Sequence, residues 1–222
     1  NNYYFCSMRK KTDKIVFENV EVLDAGAKGV SVAKAPDGKV IFIPNVVPGD
    51  VADIQTFKKR KAYYEGKAIN FHSYSQDRTE PICQHFGACG GCKWQNMKYE
   101  KQLFYKHQEV YNNLKRIGKI ELPEFEPILG SKEQFFYRNK MEFSFSNARW
   151  LTEEEVKSGE DLVRENALGF HIPKMWDKIL DIQKCHLQPD PSNDIRNSVR
   201  EFANANNMEF FNPREQSGFL RS

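Results

Sequence analysis

Cys83, Cys89 and Cys92 fall within one ten-residue stretch, C83-Q-H-F-G-A-C-G-G-C92, in the spacing C-x5-C-x2-C. Thiolates are soft donors, and three of them on a tight loop point to a metal site in a reducing compartment rather than to a secreted disulfide framework. Gly87, Gly90 and Gly91 let the backbone pass close to a bulky centre. A fourth thiol is available at Cys185 in I182-Q-K-C-H-L-Q188, directly after a predicted hairpin, so folding can bring it beside the loop. Four thiolates suit either a tetrahedral zinc ion or a [4Fe–4S] cluster. Structural zinc often uses two C-x2-C knuckles and only one occurs here, so the spacing favours iron–sulfur, with zinc as the alternative. Clustering argues against inert buried cysteines. His85 and His186 each sit near a ligand in sequence and are expected to be surface or supporting residues rather than ligands. Radical generators typically use C-x3-C-x2-C and leave one iron open, which this spacing does not match and which Cys185 would close. Such a site ties together segments far apart in sequence, so its expected contribution is structural stabilisation.

A second chemistry is written in T56-F-K-K-R-K-A-Y-Y-E-G-K67. Lys58, Lys59, Arg60, Lys61 and Lys67 oppose only Glu65 and adjoin Phe57, Tyr63 and Tyr64. Cations neutralise phosphates and aromatic faces stack unpaired bases, the mixture that single-stranded RNA binding requires. A solvated hairpin tip is the competing reading.

The elements that must carry these residues divide the 222-residue chain into two domains. From Lys14 to Phe71, short β-branched runs alternate with turn signals: Phe17 to Leu23, Val30 to Val32, Val40 to Ile43, Val51 to Phe57 and Ala62 to Asn70, broken at Gly26, Pro36-Asp37-Gly38 and Pro48-Gly49-Asp50. Five short strands at this spacing predict a small closed or partly closed barrel of the OB type over residues 9–72. Residues 73–222 read as α+β. A helix is expected from Asn96, as its cap, to Gly118, with Tyr99, Leu103, Val110, Leu114 and Ile117 as a core stripe. A strand is expected from Phe135 to Phe145, and a short helix or insertion from Leu151 to Arg164. A hairpin is predicted at Ala167 to Ile172 and Ile179 to Ile182, then a helix from Pro191 to Asn204 with Ile195, Val199 and Phe202 at helical spacing. The final F210-F-N-P-R-E-Q-S-G-F-L-R-S222 reads as a strand, a turn at Pro213 and a second strand.

Hydrophobic residues make 40% of the chain and charged residues 28%, with a net charge of +3, which suits a globular protein and leaves any nucleic-acid argument to local clustering. No run of about 18 apolar residues occurs, so no membrane span is expected. Five cysteines are present, but N1-N-Y-Y-F-C-S-M8 resembles a protease-site tag remnant, matching E-N-L-Y-F-Q-S-M at Asn2, Tyr4, Phe5, Ser7 and Met8, and lacks the basic start and apolar core of a signal peptide. Residues 1–8 are therefore set aside, and Cys6 leaves the ligand count. A cytoplasmic location is expected.

Taken together, these residues resemble the RNA uracil-5-methyltransferase family, the S-adenosylmethionine-dependent enzymes that make 5-methyluridine in 23S ribosomal and transfer RNA. G26-A-K-G-V30, F42-I-P44 and P48-G-D50 resemble landmarks of the family's N-terminal TRAM domain, an OB-like RNA-binding barrel. R78-T-E-P-I-C-Q-H-F-G-A-C-G-G-C-K-W-Q-N-M-K-Y-E-K-Q-L103 is similar to its C-x5-C-G-G-C-x-x-Q…Y-x-x-Q-L cluster segment. Y137-R-N-K140, G169-F170 with I182-Q-K-C185, and G218-F-L-R221 follow in order.

The resemblance implies a [4Fe–4S] cluster held by Cys83, Cys89, Cys92 and Cys185, and RNA contacts from Lys58, Lys59, Arg60, Lys61, Tyr63, Arg138 and Lys140. In the family a cysteine attacks C6 of a flipped uracil, the methyl group moves from S-adenosylmethionine to C5, and a base removes the C5 proton. Those catalytic residues belong to a C-terminal Rossmann-like domain. No glycine-rich cofactor turn and no spare cysteine for that role occur here. The 222 residues alone are expected to be catalytically inert, monomeric, and devoted to holding RNA. A stand-alone RNA-binding or iron–sulfur or zinc module without methylation activity is the competing reading.

Overall fold

A computed structural model describes residues 14–158 and 165–222. The tag-like residues 1–8 and the end of the predicted Leu151 to Arg164 segment lie outside the described residues. The chain divides into two compact units, 1–78 and 79–222, so the first runs six residues beyond the sequence boundary at 72.

Five strands, β1 (Val16–Ala25), β2 (Val30–Lys34), β3 (Val40–Pro44), β4 (Val51–Lys59) and β5 (Tyr63–Ser73), close into a barrel in the order β1-β2-β3-β5-β4. All neighbours are antiparallel except β3 and β5, which run parallel with Val40 opposite Tyr63 and Phe42 opposite Glu65. Alternation chooses the inner face: Ala33 in β2, Ile41 and Ile43 in β3, and Ala52 and Ile54 in β4 are all fully buried, with Val20, Val22 and Tyr64 packed on them.

One polar anchor explains the first unit's extent. The Asp50 carboxylate is fully buried. It accepts hydrogen bonds from Val47 N–H (2.6 Å) and Ser75 N–H (2.9 Å), and from Arg78 Nε and Nη2 (both 2.7 Å). Every acceptor site of the carboxylate thus faces a donor, and the Arg78 guanidinium lies 5.0 Å from both the Phe71 and Tyr74 rings. The P-G-D turn is thereby fastened to residues 75–78.

The second unit carries a three-stranded antiparallel sheet in the order β6-β7-β8, from β6 (Ser144–Ser146), β7 (Ala167–His171) and β8 (Ile179–Asp181), with helices α1 (Tyr99–Asn112), α2 (Glu153–Ser158) and α3 (Ser192–Ala205). The predicted hairpin is β7 and β8. At the C-terminus, Phe210 bridges Leu220 and Asn212 bridges Ser217 around the Pro213 turn, as isolated bridges rather than full strands.

Three expectations are corrected. Helix α1 starts at Tyr99 behind Lys98, not at Asn96, whose side chain is buried, and it ends in a π-helical turn over Asn113–Ile117 capped by Gly118. Its stripe is not core, because no α1 residue is fully buried and Val110 and Ile117 are exposed. The strand expected over Phe135 to Phe145 shrinks to β6, since Phe136 adopts φ 56°, a left-handed conformation that interrupts an extended run. Helix α3 lies where it was expected, with Ile195, Val199 and Phe202 exposed and Asn193, Arg196 and Ala203 buried.

Candidate metal centre and nucleic-acid surface

The cysteine loop, residues 83–92, is pinned by its own backbone. Phe86 N–H donates to Cys83 O (3.0 Å) and Cys89 N–H to His85 O (2.9 Å). Gly90 N–H donates to His171 O (3.2 Å), at the end of β7. A Cβ at Gly90 would stand 2.6 Å from that same oxygen, so only glycine lets the loop lie this close to the sheet. Cys83 N–H is received by Gln95 Oε1 at 3.3 Å, and Gly91 N–H points at Cys89 Sγ at 3.3 Å.

Cys185 reaches the same place from the other end of the second unit. It follows β8 and belongs to the apolar cluster of Ile172, Leu180, Ile182 and Leu187, against which Cys89 and Cys92 also pack. Cys83, Cys89, Cys92 and Cys185 line one pocket together with His85, Phe86, Gln95, Phe170, Ile182 and His186. The close trio and the remote fourth cysteine thus share one pocket lining. All four are free of disulfides. Among the described residues, no three His, Cys, Asp or Glu side chains are gathered tightly enough to hold a single metal ion.

Burial governs the electrostatics. It pushes the thiols of Cys83 and Cys185 up and that of Cys89 up to about 11, opposing the thiolate form. The charges of Arg196 and Arg138 pull in the other direction at Cys185. Burial also holds His85 and His186 below the usual histidine range, favouring neutral imidazoles. His85 Nε2 accepts Gln183 N–H at 3.1 Å, a supporting contact between the loop and the segment leading to Cys185.

The residues around Cys185 were the least visible in the sequence. Asn193 Oδ1 accepts Cys185 N–H (2.7 Å), and Asn193 Nδ2 donates to Cys185 O (3.1 Å), a two-point clamp on the cysteine backbone. Beside it runs the segment 135–140: Phe136 N–H donates to His186 O (2.9 Å) and Arg138 N–H to Leu187 O (2.8 Å), while the Phe136 and His186 rings lie 5.8 Å apart. Arg138 and Lys140 are exposed here, joined by exposed Phe136 and Tyr137. The aromatic pair was written beside Arg138 in F135-F-Y-R-N-K140 and could have been taken with the cations.

On the barrel, the predicted basic loop is shorter than expected. Lys58 and Lys59 lie on β4, and the connection to β5 is only residues 60–62, closed by Arg60 N–H on Tyr63 O (2.8 Å). Lys58 pairs with Glu65, directly across the ladder. Lys59 Nζ sits 5.9 Å from the Tyr64 ring. Arg60 and Lys61 project at the tip beside exposed Phe57, and Tyr63 packs edge-on against Phe42 at 5.4 Å. The tip thus keeps a compact cationic and aromatic surface, with one of its expected cations compensated.

No protein-family model matches the chain. Over 196 residues it is 54% identical to a Bacteroides thetaiotaomicron protein named an uncharacterized RNA methyltransferase, a match spanning 88% of this chain and 43% of the relative. The chain is similar to RNA methyltransferases. A second so named, from Porphyromonas gingivalis, is 43% identical over 208 residues, covering 91% of this chain and 44% of its own length. The chain thus spans under half the length of these curated relatives. Among solved structures, Pyrococcus abyssi tRNA (uracil-54, C5)-methyltransferase in complex with S-adenosyl-L-homocysteine aligns with a TM-score of 0.58 at 22% identity, over 91% of this chain and 41% of that one. At that identity the likeness is one of fold. Among the described residues, no helix is long and apolar enough to cross a membrane.

Proposed function

We propose that these 222 residues are the RNA-holding portion of an S-adenosylmethionine-dependent RNA uracil-5-methyltransferase acting on 23S ribosomal RNA. In this reading residues 9–72 form a TRAM-type, OB-like RNA-binding barrel and residues 73–222 an iron–sulfur domain. Cys83, Cys89, Cys92 and Cys185 hold a [4Fe–4S] cluster that fixes the second unit. Lys58, Lys59, Arg60, Lys61 and Tyr63 on the barrel, and Arg138 and Lys140 on the second unit, contact RNA. Methyl transfer falls to the part of the relatives' length that this chain does not span, and the 222 residues alone are inert. The protein works as a monomer in the cytoplasm, where thiols stay reduced.

The observation that carries this reading is the meeting of the C-x5-C-x2-C loop and Cys185 in one pocket, within a chain whose relatives are named RNA methyltransferases. The donor set fits the group: four thiols share the pocket, with His85, Gln95, Lys184 and His186 also in its lining. A single tetrahedral zinc, with Zn–S bonds of about 2.3 Å, would draw its sulfurs to within about 3.8 Å of one another. Structural zinc often reaches that geometry through two C-x2-C knuckles, and only one occurs in C83-Q-H-F-G-A-C-G-G-C92, which favours the iron–sulfur core.

Anaerobic purification should yield a brown protein with roughly four irons per chain. Zinc in place of iron would refute the cluster. RNA binding should weaken steeply with salt, and charge reversal at Lys58, Lys59, Arg60 and Lys61 should abolish most of it; unchanged binding would refute the barrel's role.

A further inference from the structure

We propose that Arg196 is the buried counter-charge of the four-cysteine centre, held in place by Asn193. The inference rests on the cluster reading above. Arg196 is only 4% exposed. Its Nη1 donates to Asn193 Oδ1 (3.0 Å), and its Nη2 to Gln183 O (2.5 Å) and Asn197 Oδ1 (3.1 Å). Its Nε has no partner among the described residues. The guanidinium also faces the Phe143 ring at 5.1 Å.

A buried guanidinium normally sits on a carboxylate, because an uncompensated buried charge is costly. Here the nearby carboxylates are engaged elsewhere. Both Asp181 oxygens are taken by Arg200 Nη1, at 2.9 and 3.0 Å, and Asp190 Oδ1 accepts Asn193 Nδ2 at 2.9 Å. Arg196 hydrogen-bonds only neutral oxygens, and Asp181 and Asp190 act on its charge through space without a direct bond to it.

The missing anion is supplied by the centre itself. Four thiolates on a [4Fe–4S] core leave a net negative charge in the pocket; Lys184 in its lining and Arg138 near Cys185 are exposed cations, and Arg196 is the buried one. Asn193 joins the two, since its Oδ1 accepts from both Arg196 and Cys185 N–H while its Nδ2 holds Cys185 O. This also accounts for the polar residues on the buried face of α3. Asn193 and Arg196, three residues apart, occupy the buried face at the expense of Ile195, Val199 and Phe202, because that face must deliver charge to the centre.

The test compares wild type, Arg196→Gln and Arg196→Lys, each reconstituted with iron and sulfide. Readouts are iron per chain, the rate of iron loss to a chelator, and the cluster's reduction potential. We expect R196Q to lose iron about tenfold faster or more and to shift the potential of any retained cluster to a more negative value. R196K should restore both. If R196Q does not fold, R196K decides alone by keeping or losing the cluster. A potential unchanged in R196Q, or R196K losing iron as fast as R196Q, would overturn the counter-charge while leaving the cluster reading intact. A wild-type chain that takes up no iron would overturn both.

Discussion

Asp37 and Asp53 show what single residues contribute to the barrel. Lys39 and the Tyr64 hydroxyl hold the Asp37 carboxyl down from 3.8 to about 2, and the His72 imidazole with Asn19 N–H and Asn70 does the same at Asp53. Because both folded-state values are depressed, the stabilisation they give is present above about pH 4 and is lost as pH falls through about 2. Urea melts followed from pH 5 to pH 2 should show this decline, and Asp37→Asn with Asp53→Asn should flatten it. A second prediction concerns the Asp50–Arg78 pair. Arg78→Ala leaves a fully buried carboxylate with only backbone donors and should cost about 3 kcal/mol in a denaturation experiment. A loss below about 1 kcal/mol would mean that water replaces the guanidinium.

At the scale of elements, the barrel was legible because its apolar residues alternate with period two and its turns carry Pro, Gly and Asp at positions with a mechanical reason. The cysteine loop was legible because spacing alone limits what three thiols can do. The positive φ of Phe136 was not legible, since nothing in F135-F-Y-R-N-K140 requires it, and the expected strand fell short there. Nor was the orientation of α3: a helical period tells which residues share a face, not which face turns inward. Nothing in the spacing singled out Asn193 or Arg196 as the buried residues. The β7–β8 pairing offers its own test, because a Cβ at Gly169 would meet Leu180 O at 2.0 Å and Ile182 Cγ1 at 2.7 Å. Gly169→Ala should therefore push β8 outward and cost about 1–3 kcal/mol, and in the cluster reading it should lower iron uptake through displacement of Cys185. Stability loss with full iron content would uncouple the hairpin from the centre.

At the scale of the whole molecule, all four pocket cysteines lie in the unit of residues 79–222 and none in the barrel. In the cluster reading, stripping iron should therefore raise hydrogen exchange across β7, β8 and α3 while leaving β1 to β5 protected as before; a barrel that loosened equally would contradict independent units. The outward apolar side chains of α3 matter for handling the protein. Ile195, Val199 and Phe202 make an exposed apolar row on a helix whose buried face carries Asn193, Arg196 and Ala203. Greasy surface of this kind governs colloidal behaviour far more than folding. Ile195→Glu with Phe202→Glu should thus leave the melting temperature nearly unchanged yet raise the concentration at which the protein stays clear of aggregates in light scattering.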